Sequence, residues 1–194
     1  MKKFLIVYAT REGQTAKVAD RIAQHLTSAG ATVTLLDAAD TSSVNGVALD
    51  SFDVLIFGAS MHAGGLEKEL VEFVVANEEQ IQHARRSFFL VLLSAATKDP
   101  DLKEKTLQDA RSKVAEQLPV TFPDTEMIAG ALMYSRYSLP VRWIMKRIAK
   151  KAGGDTDTSR DYEYTDWNQV RQYAARLIGR RPQLAIHGQR GHEL

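Results

Sequence analysis

The chain has 194 residues, a net charge of +1 and no cysteine, which suits a single domain with a full core. Without cysteine, disulfides, thiolate catalysis and iron–sulfur ligation are excluded. No apolar run is long enough to span a membrane, and the balanced composition is that of a soluble globular chain.

Strand and helix signals alternate from the start. Met1–Val7 opens like a targeting segment but runs without a cleavage pattern into Tyr8-Ala9-Thr10-Arg11-Glu12-Gly13, so Phe4–Ala9 reads as a buried first strand. Val18, Ile22 and Leu26 then recur at helical spacing, and Gly30 closes that helix. Thr32–Leu36 and Asp53–Gly58 read as strands two and three, and the Asp37–Ser51 crossover predicts only a short helix or none. Leu66, Leu70, Phe73 and Val74 predict one long helix, and Ser87–Leu93 a fourth strand. Asp99-Pro100 caps the next helix, carried by Leu107, Ala110, Val114 and Leu118. Glu126–Leu132 reads as strand five. A last helix carries Val170, Tyr173, Ala174, Leu177 and Ile178 and is capped near Thr165 or Asp166. Repeated βαβ units imply an α/β, doubly wound parallel sheet of five strands in order 2-1-3-4-5. Residues 1–179 form this domain, and the aperiodic tail 180–194 is expected to be poorly ordered.

In such a sheet, ligands bind beyond the carboxyl ends of the strands at the switch point, here between strands one and three. Strand one ends there in Thr10-Arg11-Glu12-Gly13-Gln14-Thr15, and a helix follows at once. Helix N–H groups, two threonine hydroxyls and a glycine turn suit a phosphate. The nucleoside-triphosphate loop G-x-x-x-x-G-K-[ST] and the dinucleotide fingerprint G-x-G-x-x-G are both missing. Two further loops emerge on the same edge: Ala59-Ser60-Met61-His62-Ala63-Gly64 and Ser94-Ala95-Ala96-Thr97. Their small residues let backbone approach a flat ring. His62 is the one candidate for protonation chemistry, against the commoner case of a solvated loop histidine.

Taken together, the three loops resemble the flavin mononucleotide site of flavodoxins, over nearly the whole chain up to about Ile178. The resemblance implies that Thr10–Thr15 hold the phosphate and that the other two loops flank the isoalloxazine. Flavodoxins stack aromatic residues on that ring, whereas Met61, His62, Ala95 and Ala96 stand here. A less covered ring has room for a second flat reactant. Three ordered motifs are similar to those of the menaquinone-dependent protoporphyrinogen oxidases of bacterial haem synthesis. They are Ile128-Ala129-Gly130-Ala131-Leu132-x-Tyr134-x-x-Tyr137, then Gly153-Gly154-Asp155-Thr156-Asp157-Thr158, then Tyr164-Thr165-Asp166-Trp167. This resemblance implies a flavoprotein that oxidises a tetrapyrrole and passes the electrons to a quinone. A flavodoxin-type electron carrier and a flavin-dependent quinone reductase are the alternatives.

Residues 133–164 form a long insertion after strand five. Arg136, Arg142, Lys146, Arg147, Lys150 and Lys151 lie between Met127 and Gly154 with no acid among them, which leaves −5 for the remainder of the chain. Behind Pro140, residues Val141, Ile144, Met145 and Ile148 have i, i+3, i+4, i+7 spacing, with Tyr134, Tyr137 and Trp143 as amphipathic rings. That profile fits a reversible membrane-surface segment, a helix packed on the body, or a grip by Arg136 and Arg142 on substrate carboxylates. Arg136, Tyr137, Arg142, Trp143, Lys146 and Arg147 are the expected substrate or membrane contacts. The expected location is the cytoplasm or the cytoplasmic face of the inner membrane. Asp155-x-Asp157-x-Ser159 lacks the glycine and glutamate of a Ca²⁺ loop and reads as a turn. No metal and no nucleic acid is expected.

Overall fold

The computed structural model describes residues 1–61, 65–151 and 154–179. Five strands, β1 (Lys3–Tyr8), β2 (Thr32–Asp37), β3 (Val54–Ser60), β4 (Arg86–Leu92) and β5 (Thr125–Ala129), form one parallel sheet in order β2-β1-β3-β4-β5. The central strands are apolar on both faces because helices cover both. Alternation along each strand sends one set of side chains to each layer. Leu5, Val7, Leu55, Phe57, Phe88 and Leu90 pack toward α3 (Lys68–Ala76), α4 (Glu78–His83) and α5 (Pro100–Gln117). Phe4, Ile6, Val54, Ile56, Phe89 and Val91 pack toward α1 (Gln14–Ser28) and α7 (Trp167–Ile178).

The sheet is packed closely enough to fix a residue type. A Cβ on Gly58 would lie 2.0 Å from Phe89 Cζ in the neighbouring strand, and Phe89 is fully buried. Only a glycine leaves space for that ring. The helix starts follow their capping residues: Asp99 accepts from the N–H groups of Asp101 and Leu102, and Asp166 from those of Asn168 and Gln169. The second crossover holds only the four-residue α2 (Thr41–Val44) and a 3-10 turn at Leu49–Ser51, the short helix expected there.

Three sequence readings are corrected. Strand five ends at Ala129, and Ala131–Leu132 (β6) pairs antiparallel with Tyr162–Glu163 (β7) in a separate two-stranded sheet. The single helix expected after strand three is divided into α3 and α4 at Asn77, whose side chain donates to the Phe73 carbonyl at 2.8 Å. In the insertion helix α6 (Leu139–Lys151), the apolar stripe does not face one way. Met145 turns inward with Ala149, while Val141, Ile144 and Ile148 are exposed. The tail 180–194 lies outside the described residues, as do His62, Ala63 and Gly64 of the second loop.

The insertion has a small core of its own. Tyr134 is fully buried, with Tyr137 and Tyr162 edge-on at 6.0 and 6.3 Å and Leu132, Met145 and Ala149 around them. The Tyr134 hydroxyl donates to the Asp155 carbonyl at 3.1 Å, and the Tyr164 hydroxyl to Asp155 Oδ2 at 2.9 Å. Burial and that bond to Asp155 push the Tyr164 phenol up to about 12. The motif Tyr134, Tyr137, Asp155, Tyr164 is therefore the scaffold of the insertion. Tyr134 and Tyr137, read from sequence as amphipathic rings, are both buried, and Tyr137 lines the cavity at the first loop.

Candidate functional site

The loop after β1 ends in Gly13, which takes φ +94° as the residue before α1. No side chain caps that helix, so its first-turn N–H groups stay open toward the loop. Thr10 Oγ1 accepts from the Gly13 N–H at 2.9 Å and closes the turn. The next two side chains are buried but not satisfied: Thr15 is 1% and Gln14 7% exposed, and Thr15 Oγ1 and Gln14 Oε1 have no hydrogen-bond partner among the described residues. Such orphans are uncommon in native interiors and cost free energy unless a ligand satisfies them. With the helix dipole behind it, the Thr15 hydroxyl can donate to a phosphate oxygen, whereas the Gln14 amide oxygen can only accept. Glu12 of the same loop is half-buried, and burial raises its carboxyl above the usual range while Arg11 and Arg136 pull it back.

A cavity of about 60 Å³ opens against this loop, lined by Thr10, Gln14, Thr15, Ser60, Met61 and Tyr137 among others. It continues past Met61, Leu92, Leu93 and Met145 into a groove of about 320 Å³ that also includes Ser94 and Ile148. A second cavity of about 320 Å³ meets it at Leu93 and is lined by Ala96, Thr97, Lys98, Ala149, Asp155 and Tyr164 among others. Thr10, Gln14 and Thr15 share one cavity with Ser60 and Met61, whereas Ser94 lines the neighbouring groove and Ala96 and Thr97 the second cavity. Ala59 and Ala95, however, turn their side chains into the core, so at the surface they offer only backbone. Arg11 is exposed.

Behind the second loop lies a group the sequence did not single out. Glu67 is buried, its Oε2 accepts from the Ser60 N–H at 3.0 Å, and its Oε1 accepts from the Ser60 hydroxyl. Burial holds this carboxyl above the usual carboxylate range, against the opposing bonds from Ser60. Its one sequence signal was an acid standing immediately before an apolar helix.

The insertion reaches the phosphate loop from both limbs. Arg136 Nη1 donates to the Glu12 carbonyl at 2.5 Å. Gln14 Nε2 donates to Thr165 Oγ1 at 2.8 Å, Thr165 Oγ1 donates in turn to the Ala129 carbonyl at 2.7 Å, and Lys17 pairs with Glu163 at 2.9 Å. Tyr137, 9% exposed, lines the loop's cavity, where burial and the nearby Glu12 charge push its phenol up to about 12. The loops carry no aromatic, but the insertion brings one. No local spacing announced these contacts, because the partners are more than a hundred residues apart in sequence.

The model of the flavodoxin domain family matches residues 5–159. Over 175 residues, 90% of this chain and 94% of the relative, the sequence is 30% identical to the Escherichia coli K12 protein named Protoporphyrinogen IX dehydrogenase [quinone]. The chain belongs to this flavodoxin-type protoporphyrinogen IX dehydrogenase family. A Leishmania major protein of the same name is 29% identical over 177 residues, 89% of this chain and 73% of the relative. Among solved structures, oxidised flavodoxin 1 from Bacillus cereus superposes with a TM-score of 0.53 at 17% identity, covering 92% of this chain and 98% of that one. That likeness bears on the fold alone.

Proposed function

We infer that this chain is a flavin mononucleotide–dependent dehydrogenase that oxidises protoporphyrinogen IX to protoporphyrin IX and reduces a quinone. The reading is carried by the buried Thr15 hydroxyl, without a partner among the described residues, at an open helix N-terminus, in a chain aligned over 90% of its length with relatives of that named activity. Bound flavin would supply the two-electron redox chemistry, which makes the protein's task binding, orientation and exclusion of water. Thr10, Gln14 and Thr15 would hold the phosphate, and Met61, Leu93, Ser94 and Met145 the walls of the ring site. Successive two-electron steps would each leave one quinone reduced to the quinol.

The groove past Met61 has one apolar wall from the insertion, Met145 and Ile148, which suits a flat, greasy reactant. Arg142 is half-buried, and its Nε has no partner among the described residues. It is the insertion's best-placed fork for a tetrapyrrole carboxylate.

Membrane contact belongs to the outer face of α6. Leu139 is 77% and Trp143 60% exposed, and Val141 and Ile144 are exposed on another side of the helix. Lys146, Arg147 and Lys150 stand exposed on the same helix, and the Arg147 guanidinium lies 4.9 Å over the Trp143 ring. Among the described residues no helix is long and apolar enough to cross a membrane. An amphipathic, basic helix would instead lie in the headgroup layer of an anionic surface. A quinone acceptor dissolved in that membrane would then be reached without leaving it.

The deciding experiment is anaerobic. The flavin-loaded protein is given protoporphyrinogen IX and a quinone, and porphyrin fluorescence is followed. Accelerated porphyrin formation that stops when the quinone is omitted is expected; a rate equal to the spontaneous one refutes the assignment.

A further inference from the structure

Arg136 sits where neither a membrane nor a distant substrate would need it. Its Nη1 is bonded to the Glu12 carbonyl, and a Cβ on Gly13 would lie 3.0 Å from that same nitrogen. The guanidinium thus brings its Nη1 end against the tip of the loop, and Gly13 leaves the space it fills. It stands on a braced turn. Asp161 accepts from the Ser135 N–H at 2.8 Å and from its hydroxyl at 2.6 Å, and the preceding Tyr134 is fully buried.

We propose that Arg136 is part of the phosphate subsite, a cation delivered by the insertion to a loop that has an acid of its own. The charge balance favours a second cation beside the exposed Arg11 of the loop. A flavin phosphate placed at the α1 N-terminus meets the half-buried Glu12, and the helix dipole is equivalent to only about half a charge. The single bond to Glu12 O occupies one of the five N–H donors of the guanidinium, which leaves others for phosphate oxygens. The buried Thr15 hydroxyl, without a partner among the described residues, marks the same spot independently. The insertion would then serve as a cofactor clamp on its inner side, whatever its outer side touches.

This inference rests on the flavin mononucleotide reading, and the test separates the two. The protein is stripped of flavin and titrated with flavin mononucleotide and, separately, with riboflavin, which lacks the phosphate. Protein fluorescence and flavin quenching report affinity without any turnover. Charge-assisted hydrogen bonds of this kind correspond to about 10–150-fold in affinity. Arg136→Met is therefore expected to weaken flavin mononucleotide by at least about tenfold while leaving riboflavin within about twofold, and to flatten the salt dependence of the phosphorylated ligand. Arg136→Lys keeps the charge and is expected to fall between the two. Inorganic phosphate should compete with flavin mononucleotide in the natural protein about tenfold better than in Arg136→Met. Equal loss for both flavins, or loss for neither, overturns the proposal, the first outcome reducing Arg136 to a brace for the Glu12 carbonyl. If Arg136→Met does not fold, the natural protein and Arg136→Lys decide. A salt-independent preference for the phosphorylated ligand that Arg136→Lys leaves unchanged also overturns the proposal. If the natural protein binds neither flavin, the cofactor reading fails and this one with it.

Discussion

Replacing Thr15 by valine tests the site at its best-defined atom. The Thr15 hydroxyl is buried and has no partner among the described residues. Valine keeps the shape and removes the oxygen. A buried unsatisfied hydroxyl costs about 1–3 kcal/mol. The flavin-free protein should therefore gain stability, up to about 1 kcal/mol once incomplete packing of the new methyl is allowed for. For a chain of this size that raises the melting temperature by about 2–4 °C. The same change removes a donor to a charged phosphate and should weaken flavin mononucleotide by about 10–150-fold. Stability and binding move in opposite directions, which a packing defect cannot do. The assays are a thermal melt of the stripped protein and a flavin titration by fluorescence quenching. A lower melting temperature with unchanged affinity would show that the hydroxyl is already satisfied and that the phosphate lies elsewhere.

Three other changes have definite expected outcomes. Glu67→Gln keeps the bond from the Ser60 N–H on its amide oxygen and reverses the other, its amide N–H donating to the Ser60 hydroxyl oxygen, while removing a carboxyl whose folded pKa is raised. For such an acid the native state binds the proton more tightly, so stability falls as pH rises from the unfolded value of 4.5 toward the folded one. The variant should be more stable than the natural protein near neutrality, with a flatter stability–pH curve above pH 4.5, as read from denaturant midpoints between about pH 4 and 8; identical slopes refute this. Gly58→Ala forces a methyl against the buried Phe89 ring and should cost about 1–3 kcal/mol or prevent folding, measured by urea unfolding. Leu139→Ser/Trp143→Ser removes the two most exposed large side chains of α6 and should abolish sedimentation with anionic vesicles while leaving flavin affinity unchanged. Retained sedimentation would refute the membrane role of that face.

The sheet was legible because each central strand is a continuous apolar run between turn residues, and periodicity alone then orders the units. The loop Thr10–Thr15 was legible as a turn into a helix start, since Thr10 closes it onto the Gly13 N–H and Gly13 takes a positive φ. What escaped was long-range. Asn77 breaks a helix whose apolar spacing runs on, because its side chain takes the Phe73 carbonyl. The strand read as Glu126–Leu132 stops where Gly130 lets the chain leave the sheet and pair with Tyr162–Glu163. No window of sequence contains both partners. In α6 the spacing left open whether the stripe packs on the body or faces outward, and the structure divides it with an inversion of the usual order: Met145 packs inward with Ala149 while Val141, Ile144 and Ile148 stay outside.

That inversion bears on how one element can serve both cofactor and surface. A helix whose apolar stripe was spent on the core would have nothing left for lipid. Here the inward packing is done mainly by tyrosines and their hydrogen bonds to Asp155, which hold the insertion without using its aliphatic face. The braced turn at Ser135 and Arg136 then meets the phosphate loop, while Leu139 and Trp143, a few residues further on, remain exposed. Flavin affinity and vesicle binding should therefore respond to different residues of the same segment. Arg136→Met should change the first and not the second, and Leu139→Ser/Trp143→Ser the second and not the first. A single variant from either set that lost both would mean the insertion unfolds as a unit, and would count against the division of its two faces.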